Sequence, residues 1–87
     1  MKASTTVGRN VRRLRVAAGM PQVALAADAE VEVAHISRLE RGLGNPTVAM
    51  LERIADVLGV EIVSFFMPAT NSKGTQPNLR RGRKRRK

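Results

Sequence analysis

Residues 22–42, QVALAADAEVEVAHISRLERG, decide the fold of this chain, because two short amphipathic segments stand on either side of a brief turn. Leu25 and Ala29 share one face of a helix predicted over about residues 21–28. Ile36 and Leu39 mark the inner face of a second helix, predicted over about residues 32–41 and ended by a glycine. The segment therefore predicts two helices that bury these faces together across a three-residue turn.

Another helix is predicted before this pair, over about residues 5–18, with Ser4 or Thr5 as its cap and Gly19 at its end. Its apolar residues recur at helical spacing. They are Val7, Val11, Leu14 and Ala18.

Two more helices are predicted after the pair, one from a Thr47 cap to Leu58 and a short one over residues 61–67. The residues expected to face the core are Val48, Leu51, Ile54, Ala55 and Leu58 in the first, and Ile62 and Phe65 in the second. No strand-like alternation or internal repeat is present, so we predict an all-α domain of five helices.

One acidic residue falls on an inner face. At 100° per residue, Glu40 lies on the same side as Ile36 and Leu39, where a carboxylate needs a cationic partner. Arg15 lies at the edge of the apolar stripe of the first helix, whereas the other arginines of that helix lie opposite. We predict an Arg15–Glu40 pair between the two helices; the alternative is that both side chains extend to solvent.

The opposite side of the same helix carries short side chains and arginines: Ala34, Ser37, Arg38 and Arg41. Two short helices joined by a tight turn, the second exposing such residues, have the layout of a helix-turn-helix, whose second helix lies in a DNA major groove. The alternative for Ala34 and Ser37 is ordinary helix surface.

Positive charge is concentrated at the C-terminal end of the 87-residue chain, whose net charge is +9. Residues 1–66 hold eight of the 16 Lys and Arg residues and all seven acids, which leaves that part at +1. The other eight follow Pro68, in a polar stretch that contains Pro and Gly. Such an end favours polyanions, most often nucleic acid, unless it serves only solubility.

The change in composition near Pro68 predicts a domain over residues 4–67, a linker over 68–79 and a flexible, disordered basic tail over 80–87. The candidate nonspecific contacts of the tail with nucleic acid are its basic residues Arg80, Arg81, Arg83, Lys84, Arg85, Arg86 and Lys87.

The composition also argues against several classes of protein. The chain has no cysteine for a disulfide or thiolate metal site, and a single histidine, His35, does not bind a metal alone. Ser37, His35 and Glu40 lie on different faces of one helix and cannot assemble a catalytic triad. No apolar run approaches the roughly 18 residues of a membrane span, and no secretory signal is evident. We therefore expect a cytoplasmic protein with no membrane association, no enzymatic activity, no metal and no cofactor.

From VGRNVRRLRVAAGM (residues 7–20) to PTVAMLERIADVLGVEIVSFF (residues 46–66), the chain resembles the Cro/CI-type, XRE-like helix-turn-helix domains of bacterial and phage regulators. The shared marks are Gln22, Leu25-Ala26, Ile36-Ser37, Leu39-Glu40-Arg41-Gly42, Asn45-Pro46 and Leu58-Gly59-Val60. The resemblance implies a compact five-helix, lambda-repressor-like DNA-binding domain, in a bacterial or phage-encoded protein found with the nucleoid.

The resemblance also implies roles for single residues. The positions that match base-facing residues are Val33, Ala34, Ser37 and Arg38, with Arg38 the best suited to a guanine edge. The positions that match contacts to the DNA backbone are Gln22, Arg41, Asn45 and Thr47. Arg15 and Glu40 match an ion pair inside such domains.

Three positions depart from the family pattern. Glu30 stands where a glycine is usual in the turn, and positive φ at a non-glycine residue costs about 1 kcal/mol. Glu32 and Pro21 stand where Ser or Thr would cap a helix, although proline suits a first turn. Asp28, Glu30 and Glu32 also bring negative charge beside the predicted DNA face, so they must point away or weaken binding.

Val63, Phe66 and Met67 are left as surplus apolar surface, which predicts a subunit contact unless the core is larger than drawn. The predicted function is a sequence-specific transcriptional regulator, a repressor that binds a palindromic operator on double-stranded DNA as a homodimer. Two alternatives stay open. One is an antitoxin that binds a toxin and regulates its own gene, and the other is a nonspecific nucleic-acid-coating protein that acts through its tail.

Overall fold

The computed structural model describes residues 3–68. The predicted basic tail, and the predicted linker apart from Pro68, lie outside the described residues, so their interpretation stays a prediction. None of the helices in this range is long and apolar enough to cross a membrane.

Residues 3–68 form four α-helices followed by one 3-10 helix, and this range contains no strand. The α-helices are α1 (Ala3–Ala17), α2 (Gln22–Ala29), α3 (Val33–Glu40) and α4 (Val48–Leu58), and the 3-10 helix is Ile62–Phe66. The all-α prediction and the order of the five elements are confirmed. The predicted short fifth helix is present as a 3-10 helix of five residues, so the α-helices number four within the described range.

Several helix ends differ from the sequence predictions by a residue or two, and two of these differences change the place of a named residue. Helix α1 already begins at Ala3, so neither Ser4 nor Thr5 is its cap. Pro21 is the residue before α2 rather than part of its first turn, and it makes no side-chain capping bond. Both differences reflect the same fact: local preferences indicate that a helix begins nearby, but not at which residue.

The other predicted caps and turn conformations are present. The Thr47 hydroxyl oxygen accepts a hydrogen bond from the backbone N–H of Met50 at 3.0 Å, at the start of α4. Glu30 has φ of 62°, which places it in the left-handed region that glycine favours. Glu32 precedes α3 without a side-chain capping bond. The turn between α2 and α3 is therefore built without the residues that would stabilise it best.

The core lies where the four helices and the 3-10 helix meet. Its buried apolar residues are Val7, Val11, Leu25, Ala26, Ala29, Ile36, Leu39, Leu51, Ile54, Ala55 and Phe65. Two residues predicted to face it, Ala18 and Val48, are exposed instead. Ala18 lies beyond the last residue of α1, where 100° spacing no longer applies. Val48 is the first residue of α4, and its side chain tilts toward the helix N-terminus, past the core.

The core is also larger than the sequence predicted. Met50 and Val57, which are not among the residues of α4 predicted to face the core, are partly buried and pack against it. Asn10 in α1 is fully buried, although it is polar. Phe65 is fully buried as predicted, and its 3-10 helix packs on α1.

Candidate nucleic-acid interface

The two sides of α3 have opposite environments. Ile36 and Leu39 are 0% and 2% exposed, and they anchor the helix to the core. Val33, Ala34, His35 and Arg38 are exposed, and Ser37 is half-buried. Of the four predicted base-facing residues, three are thus fully on the surface and Ser37 lies at its margin. The described part of the chain leaves this side of α3 uncovered.

An ion pair holds α3 from behind. Arg15 Nε lies 2.6 Å from Glu40 Oε2, and Arg15 Nη2 donates to Glu40 Oε1 at 3.0 Å, so the predicted pair is present and has the paired geometry of a guanidinium on a carboxylate. The side chains are 11% and 2% exposed. The hydrogen bond to Glu40 raises the pKa of Arg15, burial opposes the shift, and the charge of Glu40 adds to it. Arg15 therefore stays protonated throughout the physiological range.

Two further bonds extend this pair to the start of α2. Arg15 Nη1 donates to the Met20 carbonyl at 2.7 Å, and Gln22 Nε2 donates to Glu40 Oε1 at 3.0 Å. A carboxylate only accepts hydrogen bonds, so Gln22 must present its NH₂ group to Glu40. Gln22 was predicted to contact a phosphate. The structure shows one of its amide hydrogens committed to Glu40, which leaves the other for a ligand.

Gly8 allows the backbone of α1 to approach the backbone at the end of α3 closely. Gly8 was not identified as a contact residue from the sequence. A Cβ at Gly8 would lie 2.1 Å from the Leu39 carbonyl oxygen, 3.1 Å from Gly42 N and 3.2 Å from the Glu40 carbonyl carbon. Only glycine fits such a contact. A glycine in a helix interior costs about 1 kcal/mol of stability relative to alanine. The presence of Gly8 inside the predicted first helix could therefore have indicated a close packing contact. Gly8 and the Arg15–Glu40 pair together fix the carboxyl end of α3 on α1.

The loop between α3 and α4 carries three of the four residues predicted to contact the DNA backbone, namely Arg41, Asn45 and Thr47. Gly42 and Gly44 both have φ of 79°, and the Arg38 guanidinium lies beside Gly44, since a Cβ there would be 3.7 Å from Arg38 Nε. Arg41 Nε lies 3.4 Å from the Ser37 carbonyl oxygen, in a long hydrogen bond on the exposed side of α3. The loop thus lies against the predicted base-facing arginine.

An open groove of about 320 Å³ runs between α3 and this loop. His35, Arg38, Asn45 and Thr47 line its polar side, and all four are exposed. The structure therefore brings Arg38, Asn45 and Thr47 to one surface. The Thr47 oxygen already accepts the bond that caps α4, but its hydroxyl hydrogen can still be donated.

Acidic residues surround the turn before α3. Asp28, Glu30 and Glu32 are all exposed, in the last turn of α2, at its end and directly before α3. Negative charge at this end of α3 complements the helix dipole. The same charge would repel a polyanion, so the predicted DNA face has its more favourable charge on the side of Arg38 and the loop.

The predicted subunit contact is exposed. Val63, Phe66 and Met67 are 58%, 48% and 55% exposed on and after the 3-10 helix. They form what is called below the C-terminal apolar patch. These residues are not part of the core, so the alternative that the core extends over them is wrong for the described chain.

Two relatives place this geometry among known proteins. The HTH-type transcriptional regulator y4dJ of Sinorhizobium fredii is 40% identical over 62 residues, which cover 71% of this chain and 80% of the relative. The HTH-type transcriptional regulator RamB of Mycobacterium tuberculosis is 38% identical over 63 residues, which cover 72% of this chain. The matched segment spans only 13% of RamB, so the likeness concerns one part of that protein.

Solved structures share the fold. The hypothetical transcription factor NHTF from Neisseria superposes with a TM-score of 0.74 at 27% identity, over 77% of each chain. The master regulator for biofilm formation SinR, solved in complex with DNA, superposes with a TM-score of 0.66 at 30% identity, over 68% of this chain and 95% of its own. The helix-turn-helix family model matches residues 11–65, which is more than half of the chain. With its two packed helices, exposed second helix and internal ion pair, the chain belongs to this helix-turn-helix family.

Proposed function

We propose that this protein is a DNA-binding transcriptional regulator in which α3 enters the major groove. The observation that carries the proposal is the contrast between the two sides of α3. One side is buried and tied to α1 and α2 through Glu40, while the other presents exposed side chains and no covering chain within residues 3–68. A helix held this firmly from behind presents its outer side chains at fixed positions, which sequence reading requires.

Arg38 is the proposed main base contact. Arg38 is exposed, and its guanidinium makes no hydrogen bond or ion pair with any other described residue, so its donors are available for paired bonds to a guanine edge. Val33 and Ala34 offer only apolar contacts, such as those to thymine methyl groups. Ser37, half-buried, is proposed to contact a base or the adjoining backbone. With one strongly polar reader, recognition depends partly on DNA shape.

Four residues around α3 are proposed to hold the DNA backbone: Gln22, Arg41, Asn45 and Thr47. Gln22 has one amide hydrogen left, the Thr47 hydroxyl can donate, and Asn45 and Arg41 are exposed. These contacts carry no sequence information, but they set the register of α3 on the duplex. The basic tail is proposed to add affinity that does not depend on sequence.

We further propose that two copies associate through the C-terminal apolar patch and act as a repressor at a palindromic operator. Two equivalent α3 helices would then read half-sites about 34 Å apart. The patch is exposed in a domain small enough that such surface is costly to leave in water. The family of regulators to which the chain belongs supports a role on cytoplasmic, nucleoid DNA and a binding rather than a catalytic activity. An antitoxin role is not proposed, because none of the relatives or contacts described above points to a toxin.

Selection of bound duplexes from a random pool tests the proposal, with the full chain and with a chain shortened to residues 1–79. We expect the same two-fold symmetric sequence from both proteins. Enrichment of no sequence would contradict the proposal and favour the nonspecific coating role. An enriched sequence without two-fold symmetry would contradict the dimer but not DNA reading.

The contribution of the tail is tested by the salt dependence of binding to a random duplex. Each neutralised phosphate contributes about −0.9 to the slope of log K against log salt. Removal of residues 80–87, which hold seven basic residues, should therefore make the slope shallower and lower the affinity for all duplexes alike. An unchanged slope would show that the tail does not contact phosphates.

A further inference from the structure

Asn10 is a fully buried polar residue of α1, and its side chain has hydrogen-bond partners on both its nitrogen and its oxygen. The residue is 0% exposed. Its Nδ2 group donates to the Phe65 carbonyl at 2.8 Å and to the Met67 carbonyl at 2.7 Å. Its Oδ1 accepts a hydrogen bond from Arg13 Nη2 at 3.2 Å. The side chain thus links α1 to a segment 55 residues further along the chain.

The chemistry of these bonds fixes the orientation of the amide. An asparagine side chain has two donor hydrogens and one acceptor oxygen. Both hydrogens go to carbonyl groups, which only accept, while the oxygen receives a guanidinium, which only donates. A flipped amide would place acceptor against acceptor at two positions. Both amide hydrogens of Asn10 are therefore donated to the same stretch of backbone.

That stretch carries the C-terminal apolar patch. The two carbonyl groups belong to the residues on either side of Phe66. Phe66 is 48% exposed and Met67 is 55% exposed. The 3-10 helix is only five residues long, and Met67, directly after it, has an extended conformation. The last carbonyl groups of a helix have no partner within it. Asn10 supplies that partner from another helix and so holds the exposed end of the segment in place.

We propose that Asn10 is a positioning residue for self-association of this chain. Because Asn10 is 0% exposed, it acts through the backbone that it holds on both sides of Phe66, so that Phe66 and Met67 meet a partner as a preformed surface. Binding loses affinity when a flexible segment must first be ordered, because ordering costs conformational entropy. A segment that is already ordered avoids this entropic cost in the binding step. This inference rests on the proposed homodimer and names the residue that prepares its surface.

Arg13 provides a contrast within the same cluster. It is exposed and contacts only the acceptor side of Asn10. Its replacement by alanine leaves both bonds to the segment in place. The Arg13→Ala dimer should therefore keep a dissociation constant close to that of the wild type. Loss of the Asn10 amide should raise the dissociation constant.

The experiment measures the monomer–dimer dissociation constant of the full chain by sedimentation equilibrium. Asn10→Ser is compared with Ile36→Val, which also weakens the core but on α3, and both are studied at a temperature where each is folded. Serine is too short to reach both carbonyl groups. We expect Asn10→Ser to raise the dissociation constant by about tenfold or more, which corresponds to about 1.4 kcal/mol, and Ile36→Val to change it much less.

Equal weakening by Asn10→Ser and Ile36→Val would overturn the inference, because a general loss of stability would then explain both. A wild-type chain that stays monomeric would overturn the proposed dimer together with the inference, whereas a dimer that Asn10→Ser leaves intact would overturn the inference alone.

If Asn10→Ser does not fold, the wild type still provides the test. Exchange of the Asn10 Nδ2 hydrogens with solvent, followed by NMR, should slow as the protein is concentrated. If these hydrogen bonds to the Phe65 and Met67 carbonyl groups favour association, association must in turn stabilise the conformation in which they are made. Exchange that is independent of concentration across the monomer–dimer transition would overturn the inference.

Discussion

Replacement of Gly8 by alanine should displace α3 and destabilise the protein. The added Cβ would lie 2.1 Å from the Leu39 carbonyl oxygen, whereas real Cβ atoms essentially never approach another atom closer than 3.0 Å. The two helices must therefore separate by about 0.9 Å at this point. The three nearest atoms all belong to backbone. No side-chain rotation can relieve the contact.

Two opposing effects determine the size of the change. Alanine is favoured over glycine in a helix interior by about 1 kcal/mol. Overpacking of this kind costs about 1 to 3 kcal/mol and sometimes more. Because the clash is against backbone and lies next to Glu40, we expect the upper part of that range and a net loss of about 1 to 2 kcal/mol in the free energy of unfolding.

The assay combines urea unfolding with amide chemical shifts of α3. Gly19→Ala is the control: Gly19 has φ of 72°, but a Cβ there meets nothing within 4 Å, so that variant measures backbone strain without a clash. Gly8→Ala should shift the amides of residues 36–42, and Gly19→Ala should not. A Gly8→Ala protein as stable as the wild type, with unshifted α3 amides, would refute the proposed role of the close contact.

Three other changes test the internal contacts by urea unfolding. Glu40→Ala should cost about 3 to 5 kcal/mol, because it leaves the mostly buried Arg15 without its partner, and a loss as small as that of exposed Glu52→Ala would contradict this. Glu30→Gly should add about 1 kcal/mol by relieving the positive φ, and an unchanged or lower stability would show that Glu30 is not strained. Thr47→Ala should cost about 0.5 to 2 kcal/mol while Thr47→Ser costs little, and equal stability of the two variants would exclude the capping bond.

The features that the sequence predicted well depend on local spacing. Each inner face repeats every three or four residues, so a 100° count located Leu25, Ile36 and Phe65 in the core. The same count placed Glu40 inward and left Arg15 as its partner, and the structure has that pair. The count failed at Ala18, which lies beyond the last residue of α1, and at Val48, the first residue of α4, whose side chain tilts past the core.

The features that the sequence did not predict depend on residues far apart in the chain. Gly8 touches the backbone at Leu39, and Asn10 bonds to the backbone at Phe65, 55 residues away. Helical periodicity concerns one helix at a time and gives no distance between two helices. Gln22 shows the same limit, since a residue assigned to DNA by resemblance also serves the ion pair behind α3.

The most direct test of DNA reading by α3 compares Arg38→Ala with Arg12→Ala. Both variants lose one exposed arginine, but Arg12 lies on α1. Affinities are measured for the selected duplex and for a random duplex. We predict that Arg38→Ala weakens binding to the selected duplex by about 1 to 3 kcal/mol and relaxes the preference at one position of each half-site, while Arg12→Ala keeps the preference. Equal losses for the two variants on both duplexes would contradict recognition through this side of α3.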